Sequence, residues 1–419
     1  MLPVTDRAHS TRAAPVCRSV HIQQEVLLRL TRFTRNLSAT ALAAVASALL
    51  IAACGSSESK PKEAAASSSA SPTSSSAGSS GGSTTGALTG AGSTLVAPMV
   101  EKVFGPEVEK KDSILVTYGA VGSGAGIAAI SAKTVDFGAS DAPLTPSQAK
   151  ECGGCIEIPW ALASTGLSYN LAGVSHLNLS GPVIAEIFLG KITNWDAPQI
   201  AALNKEEKLP NEKITPVYRS DGSGDTYAFT HFLSDVSEEW KSKVGFATSV
   251  SFPVGEGGKG NSGVAAIVSS TPGALGNNSS FYITETKLHG VNVENNAGQF
   301  RSPAIENVAA AAKAILRKVA PLTPVTPSNA NAIADSLAIV DCPYEAHASA
   351  ELRREEEKAY PLSTFTYVLV RPGVPADEKV KRFIEFAIQP SIQALGAPLG
   401  FSVLPPAVEE ADREALKAL

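Results

Sequence analysis

Thr134-Val135-Asp136-Phe137-Gly138-Ala139-Ser140-Asp141-Ala142-Pro143-Leu144 is the most informative run in this 419-residue chain. Residues 135–138 alternate apolar with polar or small side chains and include β-favouring Val and Phe, which predicts a short strand. The strand leads into Asp141, just ahead of Ala142-Pro143. Two readings stay open for that carboxylate. It caps a following helix, or it accepts a hydrogen bond from a ligand. In the second case its chemistry is restrictive, because an ionised carboxylate only accepts hydrogen bonds. An anion beside it is repelled unless the anion brings a proton. A site built on such a group rejects a ligand lacking the partner by on the order of 10⁴ to 10⁵.

Outward from this run, the chain beyond residue 87 alternates short apolar segments with segments of helical period, the pattern of an α/β protein. Strands are also predicted over 114–118, 166–170, 215–218 and 364–370. Val96, Val100, Val103 and Phe104 share one helical face, as do Phe229, Phe232, Leu233 and Val236. Three Gly/Ser/Thr turns directly precede predicted helices. They are Gly90-Ala91-Gly92-Ser93-Thr94-Leu95, then Gly122-Ser123-Gly124-Ala125-Gly126 ahead of residues 127–130, and Asp221-Gly222-Ser223-Gly224-Asp225-Thr226. A helix start leaves backbone N–H groups unpaired and carries partial positive charge, and glycine lets the backbone approach an anion closely. One such turn alone reads as an ordinary N-cap; three that converge make an oxyanion cradle. Arg219, two residues before Asp221, is placed to add a charged contact while Asp221 balances it. The segment Gly255 to Gly263, with Lys259, lacks the Ser or Thr that follows a P-loop lysine and reads as a glycine-rich loop.

At the N-terminus, the uncharged run over residues 37–53 follows Arg29, Arg32 and Arg35 and stops at Cys54, which predicts a signal peptide over residues 1–53. Ala52-Ala53 directly before Cys54 is similar to a bacterial lipobox, in which the cysteine is acylated. A single membrane span is the competing reading, but 17 residues fall short of the ~20 that cross a bilayer. Residues 55–86 hold 13 Ser and no Leu, Ile, Val or Phe, too little apolar surface to offset the entropy of ordering, so 54–86 is expected to be a tether. Without the first 53 residues, 29 basic side chains face 38 acidic ones, which argues against nucleic-acid binding. Cys152-Gly153-Gly154-Cys155 in an exported chain reads as a small disulfide. A zinc site completed by Cys342 and His347 matches no strong spacing, and no metal or cofactor is expected.

Joined with Leu189-Gly190-Lys191-Ile192, Trp195-Asp196, Glu238-Glu239-Trp240 and Gly257-Gly258-Lys259-Gly260-Asn261, these segments resemble the phosphate-binding component of bacterial phosphate ABC transporters. The resemblance implies an α/β, two-lobed periplasmic-binding-protein fold (type II), with mixed, mostly parallel sheets flanked by helices. Phosphate would sit between lobes that close about a hinge. Lobe one is expected over residues 87–163 and 362–419, and lobe two over 168–358. By the same resemblance Ser93, Thr94, the backbone of Leu95, Ser123, Arg219, Ser223 and Gly224 donate to phosphate, Asp141 accepts its proton, and Asp221 holds Arg219. Asp225 stands where some members carry Thr, leaving its backbone N–H and the Thr226 hydroxyl to serve there. The implied partners are inorganic phosphate, membrane permease and ATPase subunits, and the lipid bilayer through acylated Cys54 on the outer face of the cytoplasmic membrane. The competing functions are capture of another tetrahedral oxyanion and a secreted metal-free phosphatase. A phosphatase needs an activated nucleophile or a metal pair, and none of the six His residues falls in the cradle motifs.

Overall fold

The strand Ile156–Tyr169, buried along all of its 14 residues, organises the computed structural model, which describes residues 86–319, 350–373, 377–417 and 419. Its first half pairs antiparallel with Ser363–Val370, from Ile156 opposite Val370 to Ser164 opposite Ser363. Its second half pairs antiparallel with Ala274–Ser279, starting at Thr165 opposite Ser279. A continuous sheet results, in the order Ile114–Ala120, Gly86–Gly92, Phe137–Ser140, Ser363–Val370, Ile156–Tyr169, Ala274–Ser279, Thr215–Arg219, Glu256–Gly258. The three strands at each end are mutually parallel, and the antiparallel pairings lie in the middle. Parallel neighbours need a crossover. Here helices supply it, such as the helical run from Ala97 to Asp112 between Gly86–Gly92 and Ile114–Ala120.

Two large apolar clusters flank the long strand. The first gathers Phe104, Phe137, Trp160 and Phe383, with ring centroids 5.3 to 6.5 Å apart. The second gathers Tyr169, Phe188, Trp195, Phe229, Trp240 and Tyr360. Their membership crosses the boundaries expected from sequence. Helix Ile305–Val319 sends Val308, Ala311, Ala312 and Ile315 into the first cluster, while Leu362 belongs to the second. The spacing of those four residues is one helical stripe, and the stripe lies on Ile156–Tyr169 and Ser363–Val370.

Phe137 is central to the first cluster, and its ring also occupies the space that a side chain at position 90 would need. Phe137→Ala is expected to cost about 3–5 kcal/mol through lost transfer energy and an unfilled cavity. A urea midpoint shifted by that amount at unchanged slope is the check.

Helix Ser123–Ser131 begins four residues before the expected start. Its internal Gly126 is explained by packing, since a Cβ there would meet the Gly92 Cα and lie 2.7 Å from the Ala91 carbonyl oxygen. Cys152 and Cys155, both buried, are paired across the turn before the long strand, with Cα atoms 5.5 Å apart. The expected signal peptide, Cys54, the tether through residue 85, Cys342 and His347 lie outside the described residues.

Candidate functional site

Strand ends from both halves of the sheet feed helices whose starts meet. After Gly92, the Ser93 Oγ accepts from the N–H groups of Leu95 (3.0 Å) and Val96 (3.3 Å) and turns the chain toward the helical run that begins at Ala97. Gly122, at a φ of 95° that only glycine adopts freely, opens Ser123–Ser131. From the other half, Ser223 caps Gly224–Val236 by accepting from the Thr226 N–H, and Gly260–Ser270 follows the edge strand Glu256–Gly258. These starts touch directly. Ser123 Oγ accepts the Gly224 N–H at 3.0 Å, and the Gly124 N–H donates to the Gly222 carbonyl at 2.9 Å.

Asp141 lies at the centre of the contact and is 2% exposed. Ser93 Oγ donates to its Oδ2 at 2.6 Å, and Ser123 Oγ lies 3.4 Å from the same oxygen. The Ser123 oxygen already accepts from the Asp141 and Gly224 N–H groups, so its one proton points to the carboxylate. Asp141 Oδ1 is equally buried and makes no hydrogen bond of normal geometry among the described residues, with the Thr366 hydroxyl as the further donor near the carboxylate. Burial pushes Asp141 up to about 7, and the charge of Asp225 adds to the rise while Ser93, Thr366 and Arg219 oppose it.

Arg219 ends the strand Thr215–Arg219 with its side chain 1% exposed. Nε and Nη2 donate to Asp221 at 2.9 and 2.5 Å, and Nη1 donates to Asp225 Oδ2 at 2.8 Å. Burial works against its charge, but the two carboxylates more than offset that and hold its pKa above the ordinary value. Burial would likewise raise Asp221, yet Arg219 and the Gly260 N–H keep it below the usual carboxylate range. At Asp225 burial prevails over Arg219 and Asn261, and the pKa moves up.

The ten residues expected at a cradle, Ser93, Thr94, Leu95, Ser123, Asp141, Arg219, Asp221, Ser223, Gly224 and Asp225, all fall in this neighbourhood. Ser93, Leu95, Ser123 and Gly224 are employed differently from the expectation. The Ser93 and Ser123 protons go to Asp141, the Leu95 N–H to Ser93 and the Gly224 N–H to Ser123, so all four stand behind the carboxylate. Thr226 Oγ1 is buried and makes no hydrogen bond among the described residues, which leaves it available as the substitute hydroxyl.

Asn261 is absent from the expected set, because its segment reads locally as a glycine-rich loop. It is fully buried. Its Nδ2 donates to Thr94 Oγ1 (2.9 Å) and Asp225 Oδ2 (2.7 Å), its N–H lies 3.3 Å from Thr94 Oγ1, and its Oδ1 accepts the Ser279 N–H at 2.7 Å. With both lone pairs of the Thr94 hydroxyl met by Asn261, the Thr94 proton is left to donate elsewhere. The available signal was Asn directly after a glycine with φ of 68° at a helix start. Among the described residues no group of three or more His, Cys, Asp or Glu is arranged to hold a metal ion.

Comparison with known proteins agrees with this architecture. The family model of the PBP superfamily domain matches residues 75–391. The phosphate-binding protein PstS of Methanocaldococcus jannaschii is 33% identical over 293 residues, covering 67% of this chain and 70% of that protein. PstS of Xylella fastidiosa is 40% identical over 227 residues, covering 54% of this chain; the chain spans 62% of that relative's length. The crystal structure of the phosphate binding protein from Stenotrophomonas maltophilia overlays with a TM-score of 0.55 at 20% identity, covering 78% of this chain and 93% of that one, a likeness of fold. By family model and sequence identity together, the chain belongs to the PBP superfamily and, within it, to the PstS phosphate-binding proteins.

Proposed function

We propose that this protein captures inorganic phosphate outside the cytoplasmic membrane and delivers it to the permease and ATPase subunits of an ABC importer. The observation that carries the proposal is the unbonded Oδ1 of Asp141, a buried acceptor set among helix starts and hydroxyl donors. Leaving such a group unsatisfied is costly. A tetrahedral oxyanion that brings a proton satisfies it, and the surrounding N–H and O–H groups take the remaining oxygens. Relatives named phosphate-binding protein support the same ligand.

In this proposal the two halves of the sheet act as lobes, 87–163 with 362–419 and 168–358, apart from the helix that packs on the first core. They close about the crossings near Ser164 and Leu362. Thr94, Arg219, Ser223, Asp225 and Thr226 surround the anion, Asp141 takes its proton, Asp221 balances Arg219, and Ser93, Leu95, Ser123 and Gly224 fix Asp141. Binding is reversible and involves no bond chemistry. The signal peptide directs export, acylated Cys54 and the Ser-rich tether hold the protein on the outer face of the membrane, and Cys152 and Cys155 form a structural disulfide.

Calorimetric titration of the purified chain with phosphate, arsenate and sulfate tests the reading. Phosphate and arsenate, which both carry a proton near neutral pH, are expected to bind, and sulfate is not. Equal binding of sulfate, or turnover of a phosphate ester by the metal-free protein, would overturn it.

A further inference from the structure

Asp141 and Asp225 share a pattern that one proton acceptor does not explain. Both carboxylates are buried, at 2% and 0% exposure. In each, Oδ2 is bonded, by Ser93 in one case and by Arg219 and Asn261 in the other. In each, Oδ1 makes no hydrogen bond of normal geometry among the described residues, a threonine hydroxyl being the further neighbour, Thr366 for Asp141 and Thr165 for Asp225. They come from opposite halves of the sheet, yet Gly224 packs so closely on Asp141 that a Cβ at 224 would lie 2.7 Å from the Asp141 Cα and Oδ2. Asp225 is the next residue, and its charge is felt at Asp141.

The charge balance points the same way. One guanidinium, Arg219, faces the carboxylates of Asp141, Asp221 and Asp225, an excess of two negative charges if all are ionised. The four helix starts contribute partial positive charges of about 0.5 each, enough to offset that excess but not to welcome a dianion beside it. A ligand with one proton would also leave one buried carboxylate oxygen with no well-formed hydrogen bond.

We propose that this cradle selects the doubly protonated, singly charged form of a tetrahedral oxyanion, with Asp225 Oδ1 accepting a second ligand proton beside the one taken by Asp141 Oδ1. The proposal rests on the phosphate reading above and deepens it. Whether a proton sits on the ligand or on Asp141, whose pKa is pushed up to about 7 by burial and then by Asp225, the complex holds two protons between ligand and carboxylate pair. Above neutral pH free phosphate carries one, so with both carboxylates of the empty cradle ionised, binding takes up one proton from solvent.

The other groups facing the pair do not supply this dependence. Arg219 stays charged and Asp221 ionised, because their pKa values are moved up and down respectively by their mutual contact. Tyr118 and Tyr282 are raised by burial and by neighbouring acids, Glu101 among them, and remain neutral. The pH slope therefore belongs to the ligand and the two aspartates.

The test is titration of the purified chain with inorganic phosphate at pH 7, 8 and 9, at fixed ionic strength and in two buffers of different ionisation enthalpy. Wild type is expected to take up about one proton per phosphate and to lose affinity about tenfold per pH unit. Asp225→Thr and Asp225→Asn are expected to flatten the profile over the same range. A wild-type affinity constant from pH 7 to 9 would overturn the second acceptor while leaving phosphate capture intact, and so would a slope that survives in either variant. Absence of phosphate binding at every pH would instead remove the reading beneath it. If both variants fail to fold, the wild-type proton uptake decides alone.

Discussion

Replacing Arg219 by Met is expected to abolish measurable phosphate binding and to destabilise the fold by about 3–5 kcal/mol, the range seen when one partner of a buried ion pair is removed. Methionine matches much of the arginine's length and none of its charge. The loss leaves Asp225, fully buried, with Asn261, Ser223 and Thr165 as its remaining donors. Asp221 retains the Gly260 N–H. Two carboxylates then face an incoming anion with no cation between them. Calorimetry with phosphate up to millimolar concentration and a urea midpoint give the two readouts. The double variant Arg219→Met with Asp225→Thr should recover part of the stability and none of the binding, since it removes the uncompensated charge but restores no donor. A stability loss within the ~1 kcal/mol typical of exposed pairs would show that solvent already screens the cluster.

Asp141→Asn should admit sulfate. The amide keeps an oxygen to accept from Ser93 at 2.6 Å and presents an N–H₂ where the carboxylate had an unbonded acceptor. An unprotonated ligand oxygen then finds a donor instead of a repelling charge. Discrimination against sulfate, on the order of 10⁴ to 10⁵ for a site of this type, is expected to shrink to roughly a hundredfold, with Asp225 still repelling an unprotonated oxygen. Phosphate itself should still bind, because a deprotonated phosphate oxygen accepts from the new amide. Competition between the two anions for the variant measures the effect directly; continued exclusion of sulfate would show that selectivity lies in another group.

Much of the site could be read from the chain because its parts are local. The run from Thr134 to Leu144 encodes both the strand Phe137–Ser140 and the carboxylate at its end, and Gly/Ser/Thr steps mark helix starts by composition alone. What escaped reading depends on distant partners. Asn261 matters through Thr94, 167 positions away. The strand Ala274–Ser279 looks polar, yet Asn277 donates to Thr165 Oγ1 and Asn278 accepts from the Ser168 hydroxyl, so part of that polarity is met inside the sheet. Only the last residues of Ile156–Tyr169 were expected as strand, since burial on both faces removes the alternation that betrays a strand. Gly86–Gly92 was read only as the approach to a turn. Its glycines disfavour a strand by propensity, but the Phe137 ring takes the room that a side chain at Gly90 would need.

The long strand also dictates when the molecule can mature during synthesis. Its first half waits for Ser363–Val370, about 200 residues downstream, and non-local pairings of this kind are slow to form. Until the ribosome has released that late segment, Phe137–Ser140 and Ile156–Ser164 lack the neighbour that lies between them. The nascent polypeptide thus stays open and threadable for most of its elongation, with bare strand edges that favour quick handover to a translocation or chaperone apparatus over lingering in solution.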